Sequence, residues 1–167
     1  SPAELVAKYD MIMEAAGRHI RQIPDDKLGG KILDRDRTYR ELTYHIFRIA
    51  EALMDTASGA ELTVSYYHDN PPADMQTVEQ IASFGDDVRG RLNAWWEAYP
   101  HKNGEALVNT YFGNKPLHEV LERSTWHSGQ HGRQIVMAMG EFMGIAADNP
   151  LTADDYAGLP MPEKAWD

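Results

Sequence analysis

The sequence predicts an all-α protein built as a four-helix bundle with a long crossover connection. Three observations carry that expectation: helix-start signatures recur along the chain, apolar residues repeat at helical period, and no stretch sustains the two-residue alternation of a half-buried strand. At 167 residues there is room for one domain, able to bury roughly two-thirds of its unfolded surface. Hydrophobic residues at 43% and charged residues at 25% are ordinary for a folded chain.

Three segments open with a hydroxyl residue followed three positions later by Glu or Gln: Ser1-Pro2-Ala3-Glu4, Thr38-Tyr39-Arg40-Glu41 and Thr77-Val78-Glu79-Gln80. Such pairs satisfy the orphan N–H groups of a first helical turn. Behind each runs an apolar stripe: Leu5, Tyr9, Ile12 and Ala16; Leu42, Ile46, Ile49 and Leu53; then Val78, Ile81, Val88, Leu92 and Trp95. A fourth and longest helix is expected from about Leu117, just after Pro116, through Val120, Leu121, Ile135, Ala138 and Phe142 to near Gly144. Leu62-Thr63-Val64-Ser65-Tyr66 is the nearest approach to a strand, short and isolated.

The connections are long. About 20 residues, Ala57 to Gln76, hold Gly59 and Asn70-Pro71-Pro72, and a Gly-containing loop runs from Pro100 to Lys115. Lengths of this kind permit a crossover along the bundle. The bundle domain is expected over 1–144. The remainder, 145–167, is rich in Pro and acidic residues and is expected as an extended tail on the bundle, anchored by Tyr156 or Trp166.

Charge and composition exclude several functions. A net charge of −10 has the wrong sign for a phosphate backbone, so nucleic acid is not expected as a partner. No apolar run is long enough to cross a bilayer, no signal peptide is visible, and a cytoplasmic location is expected. The lack of cysteine removes thiolate ligands and a cysteine nucleophile. A Gly-rich phosphate loop, a Gly-x-Ser-x-Gly elbow and a paired-carboxylate motif are also absent. The start at Ser1-Pro2 rather than Met is expected to reflect trimming from a longer protein.

The histidines carry the chemistry. His127 and His131 are four residues apart, the spacing at which two imidazoles leave one helix face together. That spacing alone is a weak signal. However, Ser124, His127, His131 and Gln134 share a stripe that continues into Ile135, Ala138 and Phe142, so these polar groups interrupt the core-facing side. Buried imidazoles need partners, and one metal ion supplies several at once. His45 repeats the anomaly among Leu42 and Ile49 of the second helix and is the natural third ligand. Three His ligands with a position left open is the pattern of a catalytic site.

Around these, Gln134, Ser124 and Gln130 are candidates for orienting a ligand or water. His19, late on the inner stripe of the first helix, is a weaker candidate for a fourth ligand. Its other reading is a basic residue at the negative helix terminus. Gly129 and Gly132 each cost about 1 kcal/mol inside a helix and suggest close approach by another segment or a ligand. His68, His101 and His118 are expected to be exposed. Trp95, Trp96 and Tyr99 read as core rather than pocket, and Arg133 as reaching the surface or a carboxylate.

The run Leu117-His118-Glu119-Val120-Leu121-Glu122-Arg123-Ser124-Thr125-Trp126-His127-Ser128-Gly129-Gln130-His131-Gly132-Arg133-Gln134 resembles the last-helix signature of the DinB-like (DinB/YfiT-type) metalloenzymes. Arg37-Thr38-Tyr39-Arg40-Glu41-Leu42-Thr43-Tyr44-His45-Ile46-Phe47 resembles their second-helix motif. The resemblance implies an up-down-down-up bundle and a metal site on His45, His127 and His131 for one divalent ion, zinc or nickel first, iron or manganese next. It further implies an enzyme of transferase or isomerase type, the metal activating a low-molecular-weight thiol such as mycothiol or bacillithiol, or water, against an electrophilic substrate. The alternatives are a metal-assisted hydrolase and a non-catalytic metal-binding or sensing bundle. An upstream redox domain of glutaredoxin type, with glutathione or a partner cysteine as the thiol, and a homodimer built on tail aromatics are the partners this reading admits.

Overall fold

Each capping signature starts a helix where it stands. The computed structural model describes residues 1–32 and 35–166, so Asp167, the last residue of the expected tail, lies outside the described residues. Helix α1 spans Pro2–Ile20, with the Ser1 side chain accepting from the Glu4 N–H. Helices α2, Tyr39–Ala57, and α3, Val78–Ala98, both open with complete reciprocal capping boxes on Thr38 and Thr77. Each such cap contributes about 1 kcal/mol. Helix α4 runs Leu117–Phe142 after Pro116.

The helices form a four-sided bundle in which α1 packs on α3 and α4, and α2 packs on the same two. Their directions follow from paired positions. Tyr44 stacks on Phe84 and Glu51 pairs with Arg91, so α2 and α3 run parallel. Arg21 pairs with Glu79 and Asp10 with Arg89, so α1 opposes α3. Tyr9 meets Ser128, and His19 lines a cavity with Gly140, so α1 and α4 run together. The order is up, down, down, up. Parallel α2 and α3 require the connection between them to climb the bundle, and that climb brings the 3-10 turn Val64–Tyr67 alongside α2.

The loop expected over 100–115 is not wholly irregular. It contains a small antiparallel hairpin, β1 Leu107–Thr110 and β2 Gly113–Pro116, with Leu62 bridged to Thr110. The turn needs Gly113, whose φ of +110° suits glycine. Four-residue strands are too short for their alternation to stand out in the sequence. Phe142, expected on the inner face, is exposed, because α4 ends there, beyond the wall that would cover it. Trp95, Trp96 and Tyr99 form a ring cluster at the edge of the core.

The tail is irregular rather than extended. It descends the α1/α4 groove, where the Asp155 and Ala157 carbonyls accept from Lys8 Nζ, and returns along α4 to end with Ala165 buried and Trp166 half-buried. The tail packs against Gly129, where an added Cβ would lie 3.3 Å from Tyr156 Cε1 of the tail and from Ile12 Cδ1 of α1. Gly132 has no such neighbour. Close approach explains the first glycine and not the second. Among the described residues, no helix is long and apolar enough to cross a membrane.

Candidate metal centre

Two helices bring three imidazoles together. His127 and His131 stand one turn apart on α4, ring centroids 4.8 Å from each other. His45 faces them from α2 at 5.7 and 5.2 Å. One nitrogen from each ring can be chosen so that all three lie within 4.8 Å of one another, and the cluster can hold a metal ion. The two faces are locked beside the site: Ser128, next to His127, donates to the carbonyl of Ile46, next to His45, at 2.8 Å.

Electrostatics keep the rings neutral. Burial lowers all three pKa values from the ordinary 6.5, His127 to about 3 and His131 to about 4, with His45 held lower still. Charge on neighbouring imidazoles deepens the effect on His45 and His127, and the Arg37 guanidinium opposes protonation of all three. A neutral imidazole offers a lone pair, the form a metal ion requires.

The tautomer of His131 follows from its partners. Gln134 Nε2 donates to the Ala165 carbonyl at 2.8 Å, and Gln134 Oε1 lies 2.7 Å from His131 Nδ1. A carbonyl only accepts, so the amide must turn its NH2 to Ala165 and its oxygen to His131. Nδ1 therefore carries the proton, and Nε2 holds the lone pair. That Nε2 is buried with no hydrogen-bond partner, which costs about 1–3 kcal/mol unless something else satisfies it. An ion among the three rings would do so.

The cluster borders a polar cleft of about 190 Å³ lined by Asp36, Arg37, Glu41, His45, His68 and Asp69. Two of its carboxylates are engaged: Asp69 pairs with Arg48, and Glu41 serves the capping box. Arg37 donates to the Tyr67 carbonyl at 2.5 Å and has no ion pair among the described residues. On another side Tyr67 stacks on His127 at 5.5 Å and meets His45 edge-on at 5.8 Å.

The other sequence candidates part company. Gln134 touches His131. Gln130 is buried but spends its amide on the Lys164 and Ala165 carbonyls, not on an imidazole. Ser124 is buried, and no described hydrogen bond joins it to the rings. His19 is not among the clustered ligands: its Nε2 lies 2.9 Å from the Asp148 carbonyl, where the tail crosses the end of α1. Arg133 takes the tail carbonyls of Pro162 and Glu163 rather than a carboxylate. His101 and His118 are exposed; His68 is exposed too, yet edges the cleft. Arg37, Tyr67 and Ser128 also border the rings, and nothing in their sequence spacing marks them for it. Arg37 and Ser128 stand inside the two motifs, whereas Tyr67 lies in a connection without periodicity.

No family model and no curated protein matches the sequence. Among solved structures, the chain is similar to a DinB-like protein from Bacillus cereus ATCC 10987, with a TM-score of 0.68 at 15% identity, over 86% of this chain and 93% of that one. It is also similar to the mycothiol-dependent maleylpyruvate isomerase, with a TM-score of 0.60 at 14% identity, over 81% of this chain and 60% of the other.

Proposed function

From the DinB-like fold that the chain shares with those structures, we propose that it is a metal-dependent enzyme whose centre activates a low-molecular-weight thiol, or water, for transfer or isomerisation. The observation that carries this reading is the convergence of three neutral imidazoles, with no fourth His or carboxylate joining them among the described residues. Structural zinc sites are usually closed by four protein ligands, whereas catalytic ones keep a position open. The polar cleft beside His45 supports an open position. The likeness to a mycothiol-dependent isomerase favours thiol over water.

In this reading His45, His127 and His131 hold one divalent ion, zinc or nickel, both suited to imidazole nitrogen. The bound ion supplies Lewis acidity, lowering the pKa of a thiol or water so that a nucleophile exists near neutral pH. The chain's own groups do the rest. Gln134 keeps the His131 lone pair on Nε2. Arg37 adds a fixed positive charge beside ligands that are all neutral, which favours an anion such as a thiolate or a substrate carboxylate. Tyr67 covers the His127 ring and limits entry of water.

Elemental analysis of untreated protein beside His45→Ala and His127→Ala tests the centre. Wild type is expected to carry about one ion per chain and the variants to lose it; equal metal in all three would exclude the site. Titrating glutathione, coenzyme A and small thiols into cobalt-substituted protein then tests the chemistry. A thiol that binds the ion changes the ligand-field spectrum, and an unchanged spectrum across the panel counts against thiol activation.

A further inference from the structure

The last described residues of the tail are held by their backbone. Arg133 Nη1 donates to the Pro162 carbonyl at 2.8 Å and Nη2 to that of Glu163 at 3.3 Å. Gln130 Nε2 donates to the carbonyls of Lys164 at 2.9 Å and Ala165 at 2.8 Å. Gln134 Nε2 reaches the same Ala165 oxygen at 2.8 Å, and Arg35 Nη2 takes the Trp166 carbonyl at 2.9 Å. Five consecutive carbonyls are thus captured by side chains, three of those side chains lying on one face of α4. Gln130 and Arg133 are themselves bonded, Oε1 to Nη1 at 3.0 Å, so the grip is one connected network.

This network ends on a candidate ligand. With no acceptor at Ala165, the Gln134 amide loses the group that fixes its orientation, and a flipped amide would donate to His131 Nδ1. That would force the proton to Nε2, the nitrogen that must stay bare to meet an ion. We propose that segment 162–166 is a working part of the metal centre: through the Ala165 carbonyl and Gln134 it holds His131 in its metal-binding tautomer, so that tail docking and metal binding are coupled. Gln134 is the positioning residue and Arg133 its remote support. The proposal rests on the metal reading above. Coupling is reciprocal, so an ion also tightens the tail.

The test joins two readouts on the full chain. Long-range proton–nitrogen NMR of metal-free, 15N-labelled protein reports the His131 tautomer, and competition with a chromophoric chelator reports zinc affinity. Wild type should show Nδ1–H alone. Arg133→Ala, which touches no imidazole, should show a mixture and weaker zinc binding. Gln134→Leu should lose roughly 10- to 100-fold in affinity, the usual effect of removing a group that orients a metal-bound His. Because Arg133 acts through Gln134, adding Arg133→Ala to Gln134→Leu should cost little more. Gln134→Glu, an acceptor in either orientation, should restore the tautomer and the affinity in the Arg133→Ala background.

A pure Nδ1–H tautomer in Arg133→Ala, or a loss of affinity just as large in the Gln134→Leu background as in wild type, would overturn the coupling. Zinc failing to bind wild type while the tautomer still follows the tail would sink the metal reading and leave the positioning network standing.

Discussion

The hydroxyl of Ser128 on α4 donates to the carbonyl of Ile46 on α2 at 2.8 Å and lies 2.7 Å from the Tyr9 hydroxyl of α1. Since Ser128 already donates its one proton, Tyr9 must be the donor to it. Three helices thus meet at one buried oxygen, and the residues beside it on two of them are His127 and His45. Ser128→Ala strands the buried Tyr9 donor and removes a second bond to the Ile46 carbonyl, which α2 already engages, and a loss of about 2 kcal/mol is expected. Tyr9→Phe leaves the bond to Ile46 intact and should cost about half as much. Urea unfolding of both variants checks the order, which would reverse if Ser128 were only a packing residue.

Glycines of α3 and α4 should respond in opposite ways. A Cβ at Gly85 would sit 2.4 Å from the Phe47 ring, so Gly85→Ala must displace a fully buried aromatic and should cost about 1–3 kcal/mol. At Gly132 nothing lies within 4 Å, and the residue lines an apolar cavity of about 410 Å³ between α1, α4 and the tail. Gly132→Ala should gain about 0.5–1 kcal/mol from the helix backbone alone. Thermal melts of the two variants should move apart.

His19 should make stability depend on pH. Burial outweighs its bond to the Asp148 carbonyl and the nearby Glu14 and Asp148 charges, Arg18 adds to the effect, and its pKa lies below the ordinary 6.5. The unfolded chain therefore takes up the proton first. The contribution to stability is whole above about pH 6.5 and is lost as pH falls toward the folded-state value. Urea midpoints at pH 8 and pH 5 should fall further in wild type than in His19→Gln. Parallel falls would remove the assignment.

Arg37 should govern anion binding without holding metal. In cobalt-loaded Arg37→Gln, affinity for acetate or a small thiolate should drop about tenfold, the worth of one charge-assisted contact, with metal content unchanged. Spectral titration measures the first and elemental analysis the second. Unaltered affinity would place the guanidinium in a purely structural role on the Tyr67 carbonyl.

How much of this was legible in advance differs from residue to residue. Thr38 with Glu41 and Thr77 with Gln80 marked helix starts because a capping box is satisfied within four residues of chain. His127 and His131 were visible as a pair because one helical turn fixes their separation. His19 was open to two readings because an inner stripe says only that a side chain points inward; which polar atom it meets depends on where the tail crosses, 129 residues further on. The hairpin over 107–116 was hidden because its pairing, not its four-residue strands, defines it.

The sequence by itself determined the four helices, their starts and the inward face of α4, since caps and helical period act over a few residues. It also marked His45 as out of place in an apolar stripe. Only the tertiary structure decided that His45 meets the other two imidazoles, because that depends on how α2 packs against α4, set by contacts such as Ser128 to Ile46. The structure also decided which nitrogen of His131 is bare, because its proton is assigned by Gln134 and a carbonyl at the far end of the chain. Short-range order is written in local spacing, whereas the lone pairs of a site are set by whatever the fold brings to their other side.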